Sequence, residues 1–286
     1  PMDAAKALRI MSVHPKPLEQ YDDAIGGDQR ITEAMPPLYA IPTTAGTGSE
    51  VGRSAVITMK KTGKKAIFFQ PDLTPDIAVL EPELTTGLPP DITAATGMDA
   101  FVHSMEAYLS PGLHPMADGI ALSGMELVMD WLPVAVKEGS NLEARERMLI
   151  ASAMGAVAFQ KGLGMIHSLA HPLSSRHNMH HGLANALLLP FGVSFLEKQK
   201  LNPDQAKRMI RVLSMFEDRG GTQRTLSGAC LNFIQSLGIK PGLSGCGIKK
   251  EDLNILSKEA FEDPCHQTNM MPVTEEDLLS TYEAAL

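Results

Sequence analysis

Apolar positions come in short bursts along the first 86 residues and at helical spacing from residue 87 onward. Asp3 to Met11 has the three-and-four spacing of a helix. Leu38 to Ile41 is a short apolar run closed by Pro42, which predicts a strand. Ala55–Thr58 and Ala66–Phe69 flank Lys61-Thr62-Gly63-Lys64, the pattern of a β-hairpin. Asp76 to Leu80 reads as one more strand, and a buried one. These bursts predict an α/β part.

The texture changes at Gly87-Leu88-Pro89-Pro90. Asp91 is placed to cap a helix running to Leu109, where Ser110-Pro111-Gly112 stops it. Asn141 is placed to cap the next long helical stretch. Another helix is expected after Asn202, with Pro203 at its first position. Thr274 to Asp277 resembles a capping box for a last helix. The predicted organisation is a dinucleotide-type α/β part, 1–86, then an all-helical part, 87–286, with a cleft between them.

The apolar share of 44% can fill a sizeable core, and the scarcity of aromatics at 5% suits packed helices better than a β-sandwich. The net charge of −8, with no basic patch interleaved with aromatics, gives nucleic-acid binding no support. Cys230, Cys246 and Cys265 are odd in number and far apart, which points to a reducing, cytoplasmic compartment rather than a disulfide framework. The longest apolar run, Ala184 to Leu196, is too short and interrupted to span a bilayer, so no membrane is expected.

Candidate chemistry lies in the histidines. Five of the nine fall between positions 167 and 181: His167, His171, His177, His180 and His181. Neutral imidazole is a good ligand for iron(II) and zinc. His167 and His171 share a helix face, and a second patch follows a loop-like Ser174-Ser175-Arg176. Asp99 and His103 are also four apart on one predicted helix. With two ligands from the histidine window they would make a metal set with a position left for substrate. The plain alternatives are core histidines and a surface cluster without a role. Spacing alone does not choose among the window's histidines. Thr43 to Glu50 is a loop of small residues after the first strand, able to approach a phosphate or ribose closely, or simply to turn.

Taken together, these segments resemble the iron-containing (group III) alcohol dehydrogenase family. The matching stretches are Ile41 to Val51, Leu88-Pro89-Pro90, Ala94 to Ala100, His103 with Glu106-Ala107-Tyr108, Gly162 to Leu173, and His181 to Ala186. The resemblance implies Asp99, His103, His167 and His181 as metal ligands, with His171 beside the site as a proton carrier. His177 and His180 match no ligand position. It further implies a cofactor region of Thr43, Thr44 and Thr47, with Lys65 nearby. Asp3 and Lys6 match the end of a glycine-rich cofactor motif whose glycines would lie before Pro1.

The implied reaction is hydride transfer between a primary alcohol or aldehyde and NAD, or NADP, with Fe2+ or else Zn2+ as the ion. A homodimer is implied as well. Ser174, Arg176-His177 and Met271 depart from common family residues and bear on which alcohol is used. Two alternatives stand beside this reading. One is a dehydroquinate-synthase-like lyase using metal and NAD, against which Asp99 and Ala170-His171-Pro172 argue. The other is a truncated or regulatory remnant that binds metal without turnover.

Overall fold

The computed structural model describes residues 1–60 and 65–286, the side chain of Lys65 excepted. The chain divides into two compact units. The first is Pro1–Thr43 with Gly48–Glu81, and the second is Thr44–Thr47 with Pro82–Leu286. An α/β part and an all-helical part are therefore present, as the hydrophobic pattern predicts.

The first unit contains helix α1 (Met2–Val13), strand β1 (Tyr39–Ala40), β2 (Ser54–Thr58), β3 (Lys65–Phe69) and β4 (Ile77–Ala78). β2 and β3 pair antiparallel, with Ala55 opposite Phe68 and Val56 opposite Ile67. The period-two alternation sorts these pairs: Ala55 and Phe68 are fully buried, while Val56 and Ile67 face outward. The hairpin's turn, 61–64, lies outside the described residues. Ile10 of α1 joins Tyr21, Ile31, Ala55, Phe68 and Leu73 in the unit's core.

Two cations reach from α1 into this unit. Lys6 Nζ donates to the carbonyls of Ser49, Gly52 and Ser54 at 2.7–3.0 Å, and Asp3 accepts from Ser49 Oγ and from the Val56 amide. Burial lowers Lys6 to about 8, with Asp3 and Glu50 pulling it back up. Arg9 donates to the carbonyls of Pro36 and Asp72 and to the Asp76 carboxylate, which accepts from the Leu38 amide. The segments that pair as β1 and β4 are thus fixed from one side chain.

The expectation of a buried strand over 76–80 is corrected here. β4 is a two-residue parallel pairing with β1, and Ile77 and Val79 are exposed. A two-stranded ladder of two residues each is too short to bury an apolar face, and its larger apolar residues are left at the surface.

The second unit is built on helix α2 (Pro90–Leu109), in which every residue from Thr93 to Leu109 is buried. A helix buried all round has no polar face to show. Around it lie α3 (Pro115–Lys137), α4 (Leu142–Ala158), α5 (Met165–His177) and α6 (His181–Glu197). They are followed by α7 (Pro203–Glu217), α8 (Leu226–Ser236), α9 (Leu253–Glu262) and α10 (Glu275–Ala285). Glycines set two of the approaches. A Cβ on Gly97 would meet the Leu132 side chain of α3 at 2.2 Å, and one on Gly182 would meet the Ala95 carbonyl at 2.1 Å. The first turn of α6 therefore lies directly on α2.

α3 is long and apolar enough to cross a bilayer by length and composition. It packs against α2 and α4 and buries Ala121, Met125, Val128, Leu132 and Ala135, the disposition of a core helix.

Helix starts follow the sequence with one exception. Asn141 accepts from the Ala144 amide, and Asn202 with Gln205 and Thr274 with Asp277 form capping boxes. Asp91, expected as a cap, instead lies inside the first turn of α2, behind Pro89 and Pro90. Proline needs no amide partner at a first helical position, so the helix starts one residue before the acid. Residues 174–176, expected as a loop, instead continue α5. Ser174 and Ser175 turn their hydroxyls back to the Ala170 and Pro172 carbonyls, and Arg176 pairs with Glu259. The chain breaks only at Asn178, in the left-handed conformation that asparagine tolerates.

The last turn of α2 is closed by a buried ion network. Lys161 and Arg208 both donate to the Tyr108 carbonyl, and both bind the Asp118 carboxylate, at 2.7 and 2.9 Å. Lys161 is only 2% exposed. Asp118→Ala would leave the buried Lys161 without a carboxylate partner and Arg208 with the exposed Asp204 alone, and is expected to lower unfolding stability by about 3 kcal/mol. Urea denaturation checks this, and an unchanged midpoint would show that the network contributes nothing.

Candidate metal centre

Three helices of the second unit bring the predicted ligands together. α2 carries Asp99 and His103 one turn apart, so both point the same way. α5 carries His167, and α6 opens with His181 as its first residue. Because Gly182 lets α6 touch α2 at Ala95, His181 comes to lie beside Asp99. The neighbouring His180 is outside the helix and exposed, and His177 is half-buried at the far end of α5.

Asp99 Oδ1 is the point of convergence. It lies 3.6 Å from His181 Nε2, 3.9 Å from His167 Nε2 and 4.0 Å from His103 Nε2. Asp99, His103 and His167 are all buried, with ligand atoms close enough to share one ion. Four ligands at tetrahedral positions around an ion, with bonds near 2.1 Å, would stand about 3.4 Å apart. The distances from Asp99 Oδ1 to the three imidazoles are a few tenths of an ångström longer; Asp99, His103 and His167 form a mutually close set, and His181 joins it through Asp99.

The hydrogen bonds point the same way. Asn185, one turn after His181, donates through Nδ2 to Asp99 Oδ1 at 2.8 Å, and the same nitrogen lies 3.3 and 3.2 Å from His167 Nε2 and His181 Nε2. An amide has two N–H hydrogens for these three acceptors. Among the described residues, Asn185 Oδ1 is buried without a partner, and the His103 ring faces the Gly46 backbone. His167 Nδ1 is 2.5 Å from the buried Glu106 carboxylate.

Burial governs the charges. It would by itself raise Asp99, but His103, His181, His167 and the Asn185 amide hold the carboxyl down at about 2. Burial lowers His103 and His167 to about 4 and His181 to about 3, against the pull of Asp99. At neutral pH the site is one ionised carboxylate facing three neutral imidazoles. An ion entering it displaces no protons.

His171 borders this set. Its ring stacks on His181 with centroids 5.2 Å apart, and its Nδ1 is 2.7 Å from Asp263. Asp263 also accepts from Ser168 Oγ and from the Cys265 amide. Burial would raise the Asp263 carboxyl, but its bond to His171 keeps it well below the ordinary range.

The remaining expected residues lie elsewhere. Thr43, Thr44 and Thr47 are exposed, and in their loop Gly46 packs against the Thr96 backbone of α2. Asp3 makes the internal bonds described above, and the Lys65 side chain is outside the described residues. Sequence reading missed Glu106, Asn185 and Asp263 as parts of the site. Glu106 lies three and seven residues after His103 and Asp99, and Asn185 four after His181, so helical spacing carried a signal for both. Asp263 carried none toward the site, being distant in sequence from Ser168 and His171, the site residues it holds.

Comparison with known proteins places this arrangement. The chain matches the model of the Fe-containing alcohol dehydrogenase family, C-terminal, over 93–286, and that of iron-containing alcohol dehydrogenase over 1–82. It is 38% identical to 4-hydroxybutyrate dehydrogenase of Cupriavidus necator, over all of this chain and 75% of that protein. It is 34% identical to the NAD-dependent methanol dehydrogenase of Bacillus methanolicus, over 99% of this chain and 74% of that protein. The crystal structure of a 1,3-propanediol oxidoreductase superposes with a TM-score of 0.89 at 32% identity, covering 100% of this chain and 74% of that one. A sulfoacetaldehyde reductase from Bifidobacterium kashiwanohense, solved with NAD+, superposes at 0.84 with 30% identity, over 99% and 73%. On these matches, over both of its units, the chain belongs to the iron-containing alcohol dehydrogenase family.

Proposed function

We propose that this chain is an NAD-linked, metal-dependent dehydrogenase that interconverts a primary alcohol and its aldehyde. The convergence of three imidazole Nε2 atoms on Asp99 Oδ1 carries the reading. Iron(II) is the proposed ion, since imidazole and carboxylate suit it and the family is named for it, with zinc the competitor. NAD as cofactor is supported by a relative named as NAD-dependent and by a similar structure that holds NAD+. Neither the lyase reading nor the remnant reading gains support from these relatives. A homodimer and a cytoplasmic location accompany the proposal.

Asp99, His103, His167 and His181 would hold the ion, and Thr43, Thr44 and Thr47 line the loop proposed for the cofactor. When bound, the ion supplies a Lewis acid for the alcohol oxygen and the nicotinamide a hydride acceptor. The residues do the rest. Asp99 contributes the single negative charge of the ligand set, and the imidazoles contribute lone pairs that burial keeps free of protons. Asp263 fixes the His171 ring through Nδ1, leaving Nε2 to take the proton released by the alcohol. The His171 side chain is 34% exposed, so that proton has a way out to water.

The two histidines should therefore separate. His167→Ala is expected to remove bound metal and all turnover while helical content survives. His171→Ala is expected to keep the metal and lower kcat, with the deficit narrowing as pH rises and solvent takes over as proton acceptor. Metal analysis, circular dichroism and pH-rate profiles check both. Full turnover by His167→Ala with metal bound would refute the ligand set, and metal loss in His171→Ala would make it a ligand.

The site also predicts an acid sensitivity of the metal-free protein. His103, His167 and His181 titrate near 6.5 when unfolded and near 4, 4 and 3 when folded. Below 6.5 the unfolded chain takes up protons that the folded chain refuses, so stability falls as pH drops through this range. Glu106, raised by burial to about 7, works in the opposite direction and offsets part of the loss. Urea midpoints of metal-free protein should decline between pH 6.5 and 4. A flat profile would mean that the imidazoles are not held neutral.

A further inference from the structure

We infer that Glu106 is the positioning residue of the metal centre, fixing the tautomer and orientation of His167 from the helix that carries Asp99 and His103. The inference rests on the metal-binding reading of the site and adds a residue whose contacts do not extend to the ligand atoms themselves.

The geometry is specific. Glu106 is 4% exposed and uses its two oxygens separately. Oε1 accepts from the Ile166 amide at 2.8 Å, and Oε2 is 2.5 Å from His167 Nδ1. α5 begins with Gly164, which has no side chain to cap it. The Glu106 carboxyl takes that place, its Oε1 accepting from an amide that the helix itself leaves unpaired. One side chain thus anchors the first turn of α5 and orients the imidazole that this turn carries. With Nδ1–H given to Glu106, the lone pair is on Nε2, the atom 3.9 Å from Asp99 Oδ1. Histidine ligands commonly give their other nitrogen to a carboxylate in this way, and removing the partner typically weakens metal binding 10- to 100-fold.

A catalytic part for Glu106 does not fit its surroundings. The void beside it measures about 10 Å³, room for one water at most, and is walled by Met105, Leu109, Met165, Ile166 and Leu196. Glu106 acts through His167. His103 has no carboxylate in the equivalent place among the described residues; it faces the Gly46 backbone instead.

Glu106→Gln keeps the size and leaves one acceptor for two N–H donors. The amide nitrogen then faces either Ile166 or His167, and when it faces His167 the ring keeps its proton on Nε2, where the ion must bind. The test is zinc affinity of the full chain by chelator competition, wild type against Glu106→Gln. NMR assignment of the His167 tautomer in the metal-free proteins accompanies it. The expected result is a 10- to 100-fold weaker affinity with a shift from Nδ1–H toward Nε2–H, while circular dichroism is unchanged. Equal zinc affinity in a folded variant would overturn the inference, as would an Nε2–H tautomer in the wild type. The second measurement stands even if the variant fails to fold. Failure of the wild type to bind zinc would overturn the metal reading itself, and is distinct from equal binding by both proteins.

Discussion

Asp99 places a carboxylate inside a helical core, and something there has to replace the water it has lost. Burial alone would drive it to the neutral acid. As pH falls, protonating imidazoles oppose its neutralisation; at neutral pH the Asn185 amide donates to it and burial keeps the three imidazoles neutral. No lysine or arginine contributes to holding Asp99 ionised among the described residues. What remains is one negative charge surrounded by nitrogen lone pairs and lacking a counter-cation. Such a site is costly unless a cation occupies it, which is the physical reason for reading it as a metal centre.

The packing of the second unit follows from the need to hold that arrangement still. α2 has to be buried on every side to carry Asp99, His103 and Glu106 inward, and its alanines and glycines let neighbouring helices approach closely. Gly97 admits Leu132 of α3, and Gly182 brings the start of α6 onto α2. α5 is held at its first turn by Glu106 and further along by Ser168 and His171, which share Asp263. The site is supported by side chains on regular elements, the condition under which ligand geometry is kept within tenths of an ångström.

Much of this was legible in the sequence, for identifiable reasons. The switch from short apolar bursts to helical spacing separates the α/β part from the helical part, and the caps at Asn141, Asn202 and Thr274 lie where side-chain chemistry puts them. His167 and the pair Asp99 and His103 carry helical spacing, but choosing His181 over His180 needed the family motif, since adjacent residues have the same composition signal. Their geometries differ because α6 begins at His181. Asp76 to Leu80 looked buried because apolar content does not say whether anything covers a strand. Ser174 to Arg176 looked like a loop because serine favours turns, and their hydroxyls satisfied α5 carbonyls instead. Asp263 was invisible because its role comes only from tertiary contact.

The most direct test of the central claim is NADH formation from a panel of primary alcohols. Metal-stripped protein would be assayed before and after anaerobic reloading with iron(II) or zinc. The account predicts no turnover without metal and restored turnover with one of the two ions. Stoichiometric metal binding with no turnover of any alcohol would contradict the dehydrogenase reading, and full turnover by the stripped protein would contradict the metal centre.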